Sequence, residues 1–167
     1  MQAATPPTPK KRSGLLVLVI VGGLLLLACP CIGGLSAIAI PAFIGYVRRA
    51  KVTEARGEVR AIARLEESYC TEHGNWLVPA GPVPAVPAAT KQLGAFSDDP
   101  AFTQLGYDQG DPVYYSYSVE HDPAVTGGIL IVARGDLDGD GTLSTFSVSC
   151  GSACTCEPTP IVTNEIE

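Results

Sequence analysis

Residues 14–47 carry no charged side chain, and no other feature of this 167-residue chain narrows its possible folds so sharply. A helix over this run is about 50 Å long at about 1.5 Å per residue, against about 30 Å of bilayer hydrocarbon. Tilt absorbs part of the excess. The run is therefore expected to be a transmembrane helix segment with length to spare. Pro30 and Pro41 each remove a backbone hydrogen bond and can kink or open such a helix. Gly22, Gly23, Gly33 and Gly34 permit close approach of a neighbouring helix, although glycine and proline are also common in membrane helices generally.

The flanks set the topology. Residues 1–13, "MQAATPPTPKKRS", end in Lys10, Lys11 and Arg12, and basic residues before an apolar run favour a cytoplasmic leader. Arg48, Arg49, Lys51, Arg56, Arg60 and Arg64 on the far side blur that count. A cleaved secretory signal has an apolar core of only about 7–15 residues, much shorter than this run. "LLAC" (26–29) is readable as a lipid-attachment site at Cys29, but the chain stays uncharged from Pro30 to Val47, where a lipid-anchored domain turns polar.

Residues 48–167 are long enough for one core. A net charge of −6 and a pI near 4.8, with no basic stripe interleaved with aromatics, exclude a nucleic-acid partner. Cys29 and Cys31 fall in the apolar run. Cys70, Cys150, Cys154 and Cys156 fall in the polar region, where four cysteines in a small domain predict two disulfides and an oxidising compartment. The rival is a zinc site, but the spacing of Cys150, Cys154 and Cys156 lacks the usual knuckle pattern. A 154–156 bond closes too small a ring, so Cys70 is expected to tie a helix end to the C-terminal segment; two pairings remain open.

After Arg49 the helix is expected to continue to about residue 72. Val52, Ala55, Val59 and Ile62 recur at helical spacing, Tyr69 extends the stripe, and "HGN" supplies a stop. Arg64 and Glu67 form a candidate i,i+3 pair, and Glu66 and Glu67 read as a solvated face. Proline-punctuated residues 78–91 exclude a helix or an inner strand and read as a surface loop, with a short helical turn within 98–108. Residues 113–121, 129–134 and 143–149 are strand candidates joined by turn-rich links, hence an antiparallel meander. Packing that sheet on the amphipathic half of the helix gives an α+β fold. The expected organisation is a leader at 1–13, a transmembrane segment at 14–47 and an extracytoplasmic head at 48–167. The head divides into helix 48–72, loop 73–111, strands 112–149 and a disulfide-bearing tail 150–167.

"GGLSAIAIPAFIGYVRRAKVTEARGEVRAIARLEESYC" resembles the N-terminal helix of type IV pilins and pilin-like subunits (pseudopilins) of Gram-negative bacteria. "PVYYSYSVE", "IVARGDLDGDGTLSTFSVSC" and the terminal "NEIE" resemble a branch of that family with a small meander sheet. The resemblance implies a non-catalytic subunit anchored in the inner membrane, its C-terminal domain periplasmic or extracellular. Such subunits assemble into a pilus or a type II secretion pseudopilus by packing N-terminal helices with other pilin-like subunits. It also implies that Gly33, Gly34 and Pro41 form the region where the helix loosens on assembly. "KKRSG" corresponds to a leader cut between Gly14 and Leu15 by a prepilin peptidase. Family members carry a glutamate at the fifth position after the cut; here that position is Val19. Counting back from Pro41 instead gives Ile20 and Leu24 as first and fifth positions, with Val19 where the glycine belongs. No acidic residue precedes Glu54.

The sharpest polar motif is "DLDGDGTLS". Asp136, Asp138 and Asp140, with Gly141 after them and Thr142 able to add a carbonyl, match the first half of a calcium loop. Position twelve, where a bidentate glutamate belongs, is Ser147, and strands rather than helices flank the turn. A solvated hairpin turn uses the same residues. For catalysis there is little: His73 sits at a helix end, His121 at a strand edge, Cys154 and Cys156 serve better as structural cysteines than as a redox pair, and Trp76, Tyr114, Tyr115 and Tyr117 read as packing residues. No cofactor other than calcium is suggested. The alternative to a filament subunit is a non-polymerising single-pass protein whose outer domain binds a ligand or partner.

Overall fold

The computed structural model describes residues 12–165, and their side chains except those of residues 12–13, 26–33 and 35. The chain forms two compact units that divide between Ile44 and Gly45. Helix α1, Arg12–His73, runs through both, and its assignment is continuous across Pro30 and Pro41. Neither proline interrupts the helix. Residues 1–11 of the expected leader lie outside the described residues, and the surroundings of Gly33, Cys29 and Cys31 are not described beyond their helical backbone.

In the first unit Leu15, Leu18, Leu24, Ile38, Ile40 and Phe43 are all exposed, and apart from the adjoining residues and the helix's own backbone no heavy atom lies within 4 Å of where a side chain would start at Gly14, Gly22, Gly23 or Gly34. Among the described residues no helix is long and apolar enough to cross a membrane. The uncharged run of 14–47 contains residues 26–33, whose side chains lie outside that description.

The second unit is α+β: the later part of α1 packs on an antiparallel sheet. β1 (Ala80–Val83), β2 (Ser116–His121), β3 (Ile129–Gly135), β4 (Ser144–Gly151) and β5 (Thr155–Cys156) follow one another across the sheet, and β6 (Ile161–Thr163) also pairs with β4. β5 and β6 line one edge of β4, at Cys150–Gly151 and Thr145–Ser147 respectively. The β2–β3–β4 meander matches the expected links. Its first strand is shorter than expected, because Val113 instead bridges to Gln92.

Two expectations need correction. Residues 73–111 are not a plain loop: besides α2 (Pro100–Leu105), the helical turn expected within 98–108, they hold β1 and a 3₁₀ turn (Phe96–Asp98). Pro82, which has no amide hydrogen, is tolerated because β1 is the edge strand beside β2. Asp99 caps α2, its Oδ1 accepting from the amides of Ala101 (2.9 Å) and Phe102 (3.0 Å), while Oδ2 accepts from Gly81 of β1 at 3.0 Å. The tail 150–167 likewise contributes β5 and β6, too short to show a period of two but fastened to an existing edge.

The core lies between α1 and one face of the sheet. Val52, Ala55, Val59 and Ile62 of α1 are buried against Tyr115, Tyr117, Val119, Ile129, Ile131, Ala133, Phe146 and Val148. Alternation along β4 puts Ser144, Phe146, Val148 and Cys150 inside and Thr145, Ser147 and Ser149 on the outer face. A second aromatic cluster, Phe96, Phe102, Tyr107 and Tyr117, fills the space beneath α2 with edge-on and tilted contacts. The helix seam continues through Glu66 and Cys70, and Tyr69, half-buried at its flank, packs against the core as the stripe predicts. α1 ends at His73, with Gly74 left-handed (φ 76°) and its amide bonded to the Cys70 carbonyl at 2.8 Å.

Candidate functional site

The β3–β4 turn brings together the three aspartates that the sequence singles out. One carboxylate oxygen from each of Asp136, Asp138 and Asp140 lies within 4.8 Å of the others. The loop closes on itself: Asp136 accepts from the amides of Gly139 (2.7 Å) and Gly141 (3.2 Å), Asp138 from Asp140 (3.3 Å), and Asp140 from Thr142 (2.7 Å). Gly139 and Gly141 have φ of 82° and 90°, which side-chain-bearing residues rarely adopt. The bond from the Thr142 amide is the main cause that holds the Asp140 carboxyl below its usual range, with smaller help from Asp138 and Arg48.

Two cations of α1 address this turn. Arg48 Nη2 lies 2.9 Å from Asp138 Oδ2, and Lys51 Nζ donates to the carbonyls of Leu137 (3.0 Å) and Ala89 (3.1 Å). Leu137 is buried and anchors the turn in the core. Three clustered carboxylates are chemically suited to a hard cation such as calcium. Here a guanidinium already neutralises one of them, Thr142 uses its amide toward Asp140, and Ser147 is committed to the sheet, paired with Val132 and Ile161.

The polar residues that organise the head most are ones the sequence reading placed in solvent or passed over. Glu54 Oε1 accepts from the Tyr114 amide at 2.7 Å, with Lys91 3.4 Å from Oε2. Glu58, one turn on, accepts from the Tyr107 hydroxyl (2.9 Å) and from Gln109 (3.2 Å). Burial, then the Glu58 charge, push the Tyr107 hydroxyl upward, so it stays protonated and donates. Glu67 accepts from the Cys156 amide at 2.7 Å and makes no ion pair with Arg64 among the described residues. Glu66 is fully buried and accepts from the Leu77 amide at 3.1 Å. Glu66 and Glu67 are therefore not a solvated face. The available signal was positional: Glu66 sits four residues after Ile62 and four before Cys70, in line with the seam.

All four cysteines of the head are bonded, as Cys70–Cys154 and Cys150–Cys156. Cys70 thus joins the helix end to the tail. Cys150 and Cys156 are also directly opposed across β4 and β5, so the second bond secures a strand of only two residues. Beside the helix end lies a cleft of about 380 Å³, lined by Trp76, Val78, His121, Gly128 and Ser152 among others. His73 stacks on Tyr69 with ring centres 4.1 Å apart, and His121 closes β2. Cys154 and Cys156 are each committed to a different disulfide. Of the remaining residues singled out from the sequence, Leu15 and Pro41 are exposed on α1 with Gly14 and Gly34 beside open space. No family model, curated protein or solved structure matches this chain.

Proposed function

We propose that this chain is a membrane-anchored, type IV pilin-like subunit with a structural, non-catalytic role in a pilus or a type II secretion pseudopilus. The single observation that carries the reading is the division of labour along α1. Residues 52–70 bury their apolar seam in the head, whereas Leu15–Val21, Leu24, Leu25, Ile38, Ile40, Phe43 and Ile44 leave large apolar side chains exposed. Leaving such side chains in water costs about 1.5–3 kcal/mol each, so the segment calls for lipid, neighbouring helices or both. The uncharged run 14–47 supplies the anchor in this reading, and two disulfides favour an oxidising compartment for the head, periplasmic or extracellular beyond the inner membrane. Prepilin peptidase, cutting between Gly14 and Leu15, and other pilin-like subunits packing on Gly33, Gly34 and Pro41 are the partners the reading entails.

The absence of any acidic residue before Glu54 favours a second reading, a single-pass protein that does not polymerise and whose outer domain binds a ligand or partner. A carboxylate in hydrocarbon seeks a positive partner and can register one subunit against the next; without it, packing rests on shape alone. N-terminal sequencing of the membrane-extracted protein separates the two. A start at Leu15 supports processing and assembly, while an intact Met1 or a lipidated Cys29 removes the pilin-like reading. A cysteine introduced at Gly34, with Cys29 and Cys31 replaced by alanine, should in addition yield disulfide-linked dimers in membranes if helices pack side by side, and none if they do not.

A further inference from the structure

Among the described residues, Glu66 is the one carboxylate that is fully buried, and it lies on the helix seam. It has a single donor, the Leu77 amide on Oε2, while Oε1 has no hydrogen-bond partner. Leu77 belongs to the short strap that leads from Gly74 to β1. The same strap carries Trp76, nine-tenths buried, whose Nε1 also has no partner. Asn75, Trp76 and Val78 line the 380 Å³ cleft together with His121, Gly128, Ile129 and Ser152. One hydrogen bond from Glu66 therefore joins the helix to a strap that walls a cleft.

We propose that Glu66 is a proton-operated latch: neutral, it holds the Asn75–Val78 strap on α1, and ionised, it draws in water, frees the strap and widens the cleft beside Trp76. A buried carboxylate with one donor and no cation is a poor place for a charge. Burial accordingly pushes its pKa from 4.5 up to about 7, the Leu77 amide working in the opposite sense. The surrounding groups do not compensate. The strap has no titratable residue; on α1, Arg64 is exposed, Glu67 is bound to the Cys156 amide, and His73 is stacked on Tyr69. Cys154, from the tail, is locked to Cys70, and His121 faces the cleft from β2.

The docked state binds the proton more tightly than the released state does, so docking is strongest below pH 4.5 and weakens as pH rises toward about 7. Across that interval the preference for the docked strap falls by up to about 300-fold. Trp76 is the only tryptophan of the chain, so its emission reads the strap directly. With the full chain in detergent, scanned from about pH 4 to 9, the emission should shift to the red with a midpoint between 4.5 and about 7. The shift should vanish in Glu66→Gln and persist in His121→Asn and His73→Asn. Should Glu66→Gln not fold, Glu66→Leu, which keeps the volume and removes the charge, takes its place. A wild-type emission that does not change with pH, a shift that survives in the Glu66 variant, or one abolished by His121→Asn overturns the latch.

Discussion

Removing the two disulfides one at a time should destabilise the head very unequally. Cys70–Cys154 spans a sequence separation of 84, whereas Cys150–Cys156 spans 6. In the chain-entropy description, opening the long loop costs about 4.6 kcal/mol and opening the short one about 2.2 kcal/mol at 25 °C. Side-chain loss does not blur the contrast, because each bond joins one buried cysteine, Cys70 or Cys150, to one half-buried cysteine, Cys154 or Cys156. The paired alanine variants Cys70→Ala/Cys154→Ala and Cys150→Ala/Cys156→Ala thus differ chiefly in loop length. At about 4 °C per kcal/mol for a unit of this size, the midpoints should fall by about 18 °C and about 9 °C. Thermal unfolding of the full chain in detergent, followed by sheet circular dichroism, measures both. Equal losses, or a larger loss for the short loop, would refute the reasoning and point to strand β5 as the element the bonds exist to hold.

Glu54→Ala should cost about 2 kcal/mol by orphaning the Tyr114 amide, whereas Glu54→Gln, which keeps an acceptor, should cost under about 1 kcal/mol in urea unfolding. Ile62→Ala, at a fully buried point of the seam, should cost about 2–5 kcal/mol, against about 0.5 kcal/mol or less for exposed Arg64→Ala. Because the folded pKa of Glu66 lies above 4.5, the folded state binds more protons, and wild-type stability should fall by up to about 3 kcal/mol between pH 4.5 and about 7; Glu66→Gln should be flat over this range. Calcium at about millimolar concentration should raise the thermal midpoint by a few degrees at most, with the effect lost in Asp138→Ala and enlarged in Arg48→Ala, where the competing guanidinium is gone. A midpoint that calcium leaves unmoved in all three proteins removes the turn as a metal site.

What could be read without coordinates was whatever repeats at a local period. The stripe of Val52, Ala55, Val59 and Ile62 announces a helix face, and the β-branched and aromatic runs between Asp/Gly turns announce the β2–β3–β4 meander, because both signals repeat within a few residues. The aspartate cluster was legible for the same reason: its three carboxylates are two residues apart in a turn. Partners distant in sequence left no such mark. Which cysteine meets Cys70, that Glu66 accepts from the Leu77 amide, and that Arg48 lies against Asp138 are contacts across separations of 84, 11 and 90 residues. β1, β5 and β6 are too short to show alternation and exist because an edge of β2 or β4 was there to receive them. Local chemistry thus determined the long helix and the sheet it packs on. Only the tertiary fold decided which carboxylates the helix hides, because burying a charge is unfavourable locally and is outweighed only by packing the segments around it.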